Sequence, residues 1–139
     1  HVQPLIRYDL GDSVRYDAQP CACSCPLPTI EVQGRIDDVL VMTGARGRPV
    51  TLLPLALTTV LEDDAGVFDF QLVQDGPASL ALSVAPHAGR PALQTARRAL
   101  ADFLKAQGLG NVALAARLAE PVKRGASGKA QRIVHGAGG

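Results

Sequence analysis

The sequence predicts a small α+β domain with the element order β-α-β-β-α-β, its helices packed on one face of a sheet. Three observations predict this class. Apolar residues recur at three- and four-residue spacing across residues 91–107, the pattern of an amphipathic helix. Runs that favour β-strands cover residues 39–42, 67–73, 80–84 and 112–118. The 139 residues are 47% hydrophobic, which suits one modest core.

The first predicted helix covers residues 52–61. Thr51 can cap it, and Pro54 is tolerated because the N–H groups of a first helical turn have no intrahelical partner. The apolar side chains predicted to be buried are Leu53, Leu57, Val60 and Leu61. Gly66 suits the left-handed conformation that ends a helix. Residues 44–49 (GARGRP), ahead of this helix, are predicted to form a mobile loop.

The second predicted helix covers residues 91–107 and ends at Gly108. Its apolar face consists of Leu93, Ala96, Leu100, Phe103 and Leu104. Before it, Asp75 and Gly76 mark a hairpin turn between two strands. The tail from residue 121 is rich in Gly, Lys and Arg and is predicted to be exposed. Residues 1–34, interrupted by proline and glycine, are predicted to form short strands and loops.

The net charge of +1 hides an asymmetry along the chain. Residues 1–89 carry eleven acidic and five basic side chains, whereas residues 90–139 carry two acidic and nine basic ones. The basic part can meet phosphates, or it can simply be a solvated face. Its basic residues are not interleaved with aromatic ones, which disfavours nucleic-acid binding.

No apolar run approaches the roughly 18 residues of a membrane span, and no signal-peptide pattern is present. We therefore expect no membrane partner. The sequence starts at His1 rather than at a methionine, and we expect it to be part of a longer chain.

Three cysteines, Cys21, Cys23 and Cys25, alternate with other residues between two prolines. Three thiolates can supply part of a tetrahedral zinc site, but no histidine stands at a helpful spacing for the fourth ligand. The alternative is free thiols in a reducing compartment, which predicts a cytoplasmic protein. The sequence favours this alternative, with no metal bound and zinc as the weaker possibility.

Two charged motifs are ambiguous when each is taken alone. Residues 34–38 (GRIDD) can be a charged linker. Lys129, in residues 127–132 (SGKAQR), cannot belong to a phosphate-binding P-loop, because Lys123 and Ala130 stand where that loop needs Gly and Ser or Thr. With the P-loop excluded, Lys129 is a cationic side chain on a loop flanked by glycine. It can equally be an ordinary surface lysine.

The order of these motifs is more specific than either one. Residues 4–12 (PLIRYDLGD) are similar to a P-x-I-R-Y-x-T-G-D segment, and the cysteine-rich loop with residues 34–38 is similar to C-x-C … G-R-x-D-D. Residues 127–132 are similar to S-G-K-x-x-R. Together they resemble the adenylate-forming superfamily of acyl- and aryl-CoA synthetases, and within it the phenylacetate–CoA ligase group. The resemblance extends over nearly the whole chain.

The resemblance implies a role for each matching residue. Asp12 would accept hydrogen bonds from the ribose hydroxyls of ATP, and Arg35 would lie near the ribose and phosphates. Asp37 would be the hinge between two domains. Lys129 would reach the substrate carboxylate and the α-phosphate.

The resemblance also implies a domain organisation. Residues 1–34 would be the end of a large adenylation domain, 35–38 the hinge, and 39–139 a mobile C-terminal lid. The complete enzyme would activate a small carboxylic acid with ATP and Mg²⁺ and pass the acyl group to CoA or a carrier-protein thiol. This part alone, without the N-terminal adenylation domain, would be inactive and would bind no cofactor.

The sequence departs from the family pattern around the expected acceptor site. Leu10 replaces the usual Thr, and the glutamates that usually follow the proline of the first helix are absent. Gly44, Arg46 and Arg48 belong to a loop that would face the acyl acceptor, which leaves CoA, a carrier protein, an amine or a hydroxyl open. A non-catalytic α+β interaction domain with a basic tail is the alternative function, and a zinc-stabilised binding module is another.

Overall fold

The computed structural model describes residues 12–17, 23, 29–35, 39–120 and 131–135, which form three β-sheets and two helices. The strands are β1 (Asp12–Asp17), β2 (Thr29–Arg35), β3 (Leu40–Thr43), β4 (Pro49–Leu52), β5 (Phe70–Gly76), β6 (Ser79–Val84), β7 (Ala113–Leu118) and β8 (Ile133–His135). The helices are α1 (Pro54–Thr59), which continues as a π-helical turn (Val60–Asp64), and α2 (Gly89–Ala106).

The largest sheet has four strands in the order β7-β6-β5-β8. Its centre is the antiparallel pair β5 and β6, with β7 parallel to β6 and β8 parallel to β5. Parallel neighbours need a crossover, and α2 supplies the one from β6 to β7. Strands β1 with β2, and β3 with β4, form two separate antiparallel ribbons.

One hydrophobic core joins the helices to the sheet. Its members come from β3, β4, α1, the π-helical turn, β5, β6, α2, β8 and the segments that follow the π-helical turn and α2: Leu40, Met42, Leu52, Leu57, Leu61, Val67, Phe70, Leu72, Leu80, Leu82, Val84, Ala96, Leu100, Leu104, Leu109 and Ile133. The predicted apolar faces of both helices are therefore confirmed in outline. Leu53, Leu93 and Phe103 are only half-buried at their edges.

The predicted first helix is confirmed, but its start is displaced. Leu53 is the N-cap, Pro54 follows in the first turn, and no side chain caps the helix. The cap prediction for Thr51 is wrong because that residue lies in β4, paired with Val41. Gly66, with φ of 68°, follows the π-helical turn as predicted.

The α+β class and the order of the six predicted elements are confirmed, and two strands are added. Strand β4 begins in the predicted loop, so residues 44–49 are the turn and edge of a β-hairpin. Strand β8 lies in the tail predicted to be exposed, yet Ile133 and Val134 are buried. A three-residue strand is too short to show a period, and only its pairing with β5 reveals it. No helix in the described part is long and apolar enough to cross a membrane.

Candidate functional site

The predicted site residues fall into two groups. Asp12, Arg35, Gly44, Arg46 and Arg48 lie in described elements, the first two with their backbone only. Lys129, Asp37, Cys21 and Cys25 lie outside the described residues. The geometry of the site is thus defined by the two ribbons and by the segment that follows Lys129.

Asp12 and Arg35 come from two different motifs, and the β1–β2 ribbon brings their backbones together. They are cross-strand partners at one end of the ribbon. Residues directly opposite in an antiparallel pair have Cα atoms about 4.5–5.5 Å apart. Pairing of the strands therefore places two residues 23 positions apart in the sequence at one locus.

One face of the same ribbon is apolar and open to solvent. Val14 pairs with Val32 and Tyr16 pairs with Ile30. All four side chains are at least half exposed. Arg15 and Glu31, the cross-strand pair that lies between these two apolar pairs, form an exposed ion pair. A two-stranded ribbon is marginal in water by itself, so such a face is typical of an element that packs against something further.

The turn that joins β3 to β4 carries two exposed arginines. Arg46 has a left-handed backbone (φ 67°, ψ 21°), which is uncommon for a residue other than glycine. Gly44 is buried, and its N–H donates to the carbonyl oxygen of Arg48 at 2.8 Å. A tight turn thus presents two guanidinium groups to solvent, where they can bind anions.

Two neighbouring segments hold this turn in place. The N–H of Thr43 donates to the carbonyl oxygen of Pro77 at 2.6 Å, and the side-chain amide of Asn111 donates to the carbonyl oxygen of Thr43 at 2.9 Å. A Cβ placed on Gly44 would lie 3.2 Å from the carbonyl oxygen of Gly108. The turn is therefore fixed to the β5–β6 turn and to the segment after α2.

The segment that follows Lys129 is anchored through its backbone. The N–H of Leu72 donates to the carbonyl oxygen of Arg132 at 2.7 Å, which starts the pairing of β8 with β5. The side chain of Gln71, which is 3% exposed, donates to the carbonyl oxygen of Gln131 at 2.7 Å. Two consecutive carbonyl groups close to Lys129 in sequence are thus held by β5.

The side chain of Arg132 is held as well. Its guanidinium forms an ion pair with Glu62 of the π-helical turn, with 2.5 Å between Nη1 and Oε1. The guanidinium carbon also lies 5.4 Å from the centre of the Phe70 ring, within cation–π range. Arg132 therefore bridges the end of α1 and the start of β5.

The sequence analysis gave no role to Gln71, Glu62 or Arg132. Arg132 is the last residue of the SGKAQR motif, and its place in that motif is the sequence feature that could have singled it out. Glu62 belongs to an acidic run at residues 62–64, and nothing local in that run points to a partner at position 132. Cys23 is exposed, and the described residues contain no group of three metal-ligating side chains. Neither fact tests the zinc hypothesis, which depends on residues outside the described part.

Comparison with solved structures identifies the fold. A crystal structure of 2-hydroxyisobutyryl-CoA ligase in the postadenylation state, in complex with R3-HIB-AMP, aligns at a TM-score of 0.56 with 23% sequence identity. The alignment covers 89% of this chain and 27% of the ligase chain. This chain shares the fold of part of that ligase.

A second structure of the same ligase, in an open conformation with 2-HIB-AMP and CoA, has 25% identity and equal coverage. Its TM-score of 0.48 is too low to support an inference by itself. No protein-family model and no curated protein matches the sequence. The chain spans about a quarter of the length of the ligase it resembles.

Proposed function

We propose that this chain is the C-terminal part of an adenylate-forming enzyme, similar to the phenylacetate–CoA ligase group, that activates a small carboxylic acid with ATP. The observation that carries the proposal is the pairing of Asp12 with Arg35. Two motifs that were matched separately to nucleotide-binding segments converge at one end of one ribbon. The fold shared with a CoA ligase over 89% of this chain supports the same function.

The proposed chemistry has two steps. A substrate carboxylate oxygen attacks the α-phosphorus of ATP, the bond to the β-phosphate oxygen breaks, and pyrophosphate leaves as an acyl-adenylate forms. A thiolate then attacks the acyl carbon, and AMP leaves as a thioester forms. Mg²⁺ would accompany the phosphates, because it commonly shares its coordination between substrate phosphates and one or two carboxylates.

Each matching residue has a physical role in these steps. The Asp12 carboxylate accepts hydrogen bonds from the ribose diol, and the Arg35 guanidinium suits phosphate oxygens. Lys129 stabilises negative charge that develops on the carboxylate and the α-phosphate. Rotation at Asp37 exchanges the surfaces that the lid presents, so that one site serves both steps.

The exposed apolar face of the β1–β2 ribbon supports the proposed domain boundary. Residues 1–34 are assigned to the end of the large adenylation domain, residues 35–38 to the hinge, and residues 39–139 to the lid. The rest of the adenylation domain would cover Tyr16 and Ile30, which are 66% and 56% exposed in this chain. We place the complete enzyme in the cytoplasm on the sequence argument from its thiols.

The β3–β4 turn is the proposed acceptor site. Arg46 and Arg48 are exposed, and Gly44 fixes the turn that carries them. The two guanidinium groups would pair with the phosphates of CoA or of a carrier protein's phosphopantetheine arm. An acceptor with a phosphate-bearing thiol arm is therefore preferred here to a simple amine or alcohol.

The first test measures acid-dependent exchange of pyrophosphate into ATP by the complete enzyme. Lys129→Ala is expected to lower the exchange rate by about 10²–10³-fold, the usual effect of removing a donor that stabilises transition-state charge. Lys105→Ala, at an exposed position near the end of α2, is the matched control and should retain the wild-type rate. If Lys129→Ala exchanges as fast as Lys105→Ala, the chain is better described as a non-catalytic interaction domain.

Measuring pyrophosphate exchange and thioester formation side by side tests the hinge. Asp37→Pro restricts backbone rotation and is expected to spare pyrophosphate exchange while slowing thioester formation. Equal loss of both half-reactions in a folded variant would contradict the hinge assignment.

A further inference from the structure

We propose that the outer edge of β7, together with the flank of α2 beside it, binds an extended acidic segment of a partner protein as an added β-strand. Strand β7 is at one edge of the four-stranded sheet, and no described strand pairs with its outer side. Below, the β7 edge means residues 113–118, and the α2 flank means Arg90, Leu93, Gln94 and Arg97. This inference does not depend on the adenylation chemistry.

The backbone of the β7 edge is directed for pairing. On its inner side, the N–H of Ala113 donates to the carbonyl oxygen of Ala78 at 2.9 Å as the parallel pairing with β6 begins. The direction of hydrogen bonding alternates from residue to residue along a strand. The N–H and C=O groups of Leu114, Ala116 and Leu118 therefore point away from β6, toward the outer side.

The β7 edge lacks the usual protection against strand addition. Natural edge strands are often very short, or are interrupted by proline, by bulges or by several charges. Strand β7 has six residues, contains no proline, pairs with β6 in continuous register and carries one charged side chain, Arg117. Strand β8, at the other end of the described strand order, has only three residues. Of these two strands, β7 is the one suited to accept another strand.

The two faces of β7 differ in what they offer to an added strand. Leu114 and Leu118 are partly buried and pack against the core below α2. Ala115 and Arg117, on the opposite face, are exposed. Side chains of an added strand alternate between the same two faces. Every second side chain would therefore meet an apolar surface, and those between would meet the face that carries Arg117.

A pocket beside the edge can receive one of the apolar side chains. It has a volume of about 300 Å³, opens to solvent, and is lined by Arg90, Leu93, Gln94 and Leu118. Leu93 and Leu118 are only partly buried, so apolar surface remains uncovered between α2 and β7. Burying it under an apolar side chain is favourable. Arg90, on the same pocket, can pair with a carboxylate on the incoming segment.

Charge favours an acidic partner over a second copy of this chain. Residues 89–119 carry five basic side chains and one acidic one. Arg90 and Arg97 are exposed at a seven-residue spacing, which places both on one side of α2, and Arg117 is exposed on β7. Pairing two β7 edges would bring these like charges together, which is unfavourable. The expected partner segment therefore alternates apolar residues with Asp or Glu.

The test measures fluorescence anisotropy of three labelled nonapeptides with the complete enzyme at about 0.15 M salt, where the Debye length is short. GELELELEG has the expected alternation, GELEPELEG interrupts the strand with proline, and GKLKLKLKG reverses the charge. We expect saturable binding of the first probe and at least about tenfold weaker binding of the other two. Equal binding of the proline probe would overturn strand addition, and equal binding of the basic probe would overturn the acidic partner.

Variants of the chain show whether the probe occupies the proposed surface. Ala116→Pro removes an outward N–H while keeping the bonds to β6, and Arg117→Glu reverses a charge at the edge. Each should weaken binding of GELELELEG by about tenfold or more. Arg98→Glu is the matched control, because it makes the same change of charge on α2 outside the flank, and it should stay within about twofold. Arg117→Glu that binds as tightly as Arg98→Glu would overturn the proposal, whatever the folding of Ala116→Pro.

Two further readouts do not depend on probe affinity. Amide hydrogen exchange in peptides covering residues 113–119 should slow when GELELELEG is bound, while exchange in peptides of α1 stays unchanged. Unchanged exchange at residues 113–119 would overturn the site. Sedimentation of the complete enzyme without the probe should show no association that Ala116→Pro abolishes. A dimer lost in Ala116→Pro would assign the edge to a second copy and overturn the acidic partner.

This proposal and the proposed function fail separately. Lys129→Ala that retains pyrophosphate exchange would remove the adenylation role and leave the strand-binding edge standing. Failure of GELELELEG to bind would remove the edge and leave the adenylation role standing.

Discussion

Gly44 is the residue at which a single methyl group should test the packing of the β3–β4 turn. Its backbone (φ −78°, ψ −179°) is extended, so alanine meets no conformational strain there. Its Cβ, however, would lie 3.2 Å from the carbonyl oxygen of Gly108, 3.3 Å from that of Arg48 and 3.3 Å from Cγ2 of Val50. The perturbation in Gly44→Ala is therefore purely steric.

The neighbouring atoms cannot recede without a penalty. The Arg48 oxygen accepts the hydrogen bond from the Gly44 N–H at 2.8 Å, and Gly108 forms the turn that closes α2. Overpacking of this kind costs about 1–3 kcal/mol. Replacing a glycine with alanine also stabilises the folded state by about 0.4–1 kcal/mol, because it lowers the conformational entropy of the unfolded chain. The net loss should be about 1–2 kcal/mol.

Urea unfolding of the 139-residue chain, followed by far-UV circular dichroism, measures this loss. With an m-value of about 1–3 kcal/mol per molar urea, the midpoint should fall by roughly 0.5–1.5 M. The control is Gly110→Ala, where φ is not positive and the nearest atom is 3.9 Å away, so its midpoint should equal or exceed that of wild type. Equal midpoints for Gly44→Ala and Gly110→Ala would refute the steric argument.

Two further predictions concern the core and the ribbon. Leu100→Ala removes a side chain with no exposed surface and should destabilise the chain to urea by about 2–5 kcal/mol, whereas Leu55→Ala, at a site 55% exposed, should change stability by less than about 0.5 kcal/mol. Ile30→Thr should leave the stability of this chain within about 0.5 kcal/mol, but should lower the thermal midpoint of the complete enzyme if the adenylation domain covers the ribbon. Equal effects of Ile30→Thr in both proteins would contradict the domain boundary.

Local patterns explain why much of the fold was predictable. The helical period in residues 91–107 depends on neighbours three and four positions apart, and α2 (Gly89–Ala106) follows it closely. Gly66 and Gly108 end helical segments because glycine tolerates the left-handed conformation found at both. The two missed strands are short, and their stability comes from partners distant in sequence.

The candidate site was predictable only as separate motifs. The sequence singled out Asp12, Arg35 and Lys129, but it gave no distance between any two of them. The pairing of Asp12 with Arg35 depends on the register of the ribbon, which includes an irregularity between Ser13 and Val14. No local pattern predicts such a register shift.

The sequence by itself determined the α+β class, the order of the six main elements and the motifs that resemble an adenylate-forming enzyme. Tertiary structure alone decided that β8 joins the sheet, that Asp12 pairs with Arg35 across a ribbon, and that Glu62 meets Arg132, 70 positions further along the chain. The physical reason is the distance along the chain over which each kind of interaction acts. Backbone preference and hydrophobic period act within a few residues, whereas register and side-chain pairing are settled only when the whole core is packed.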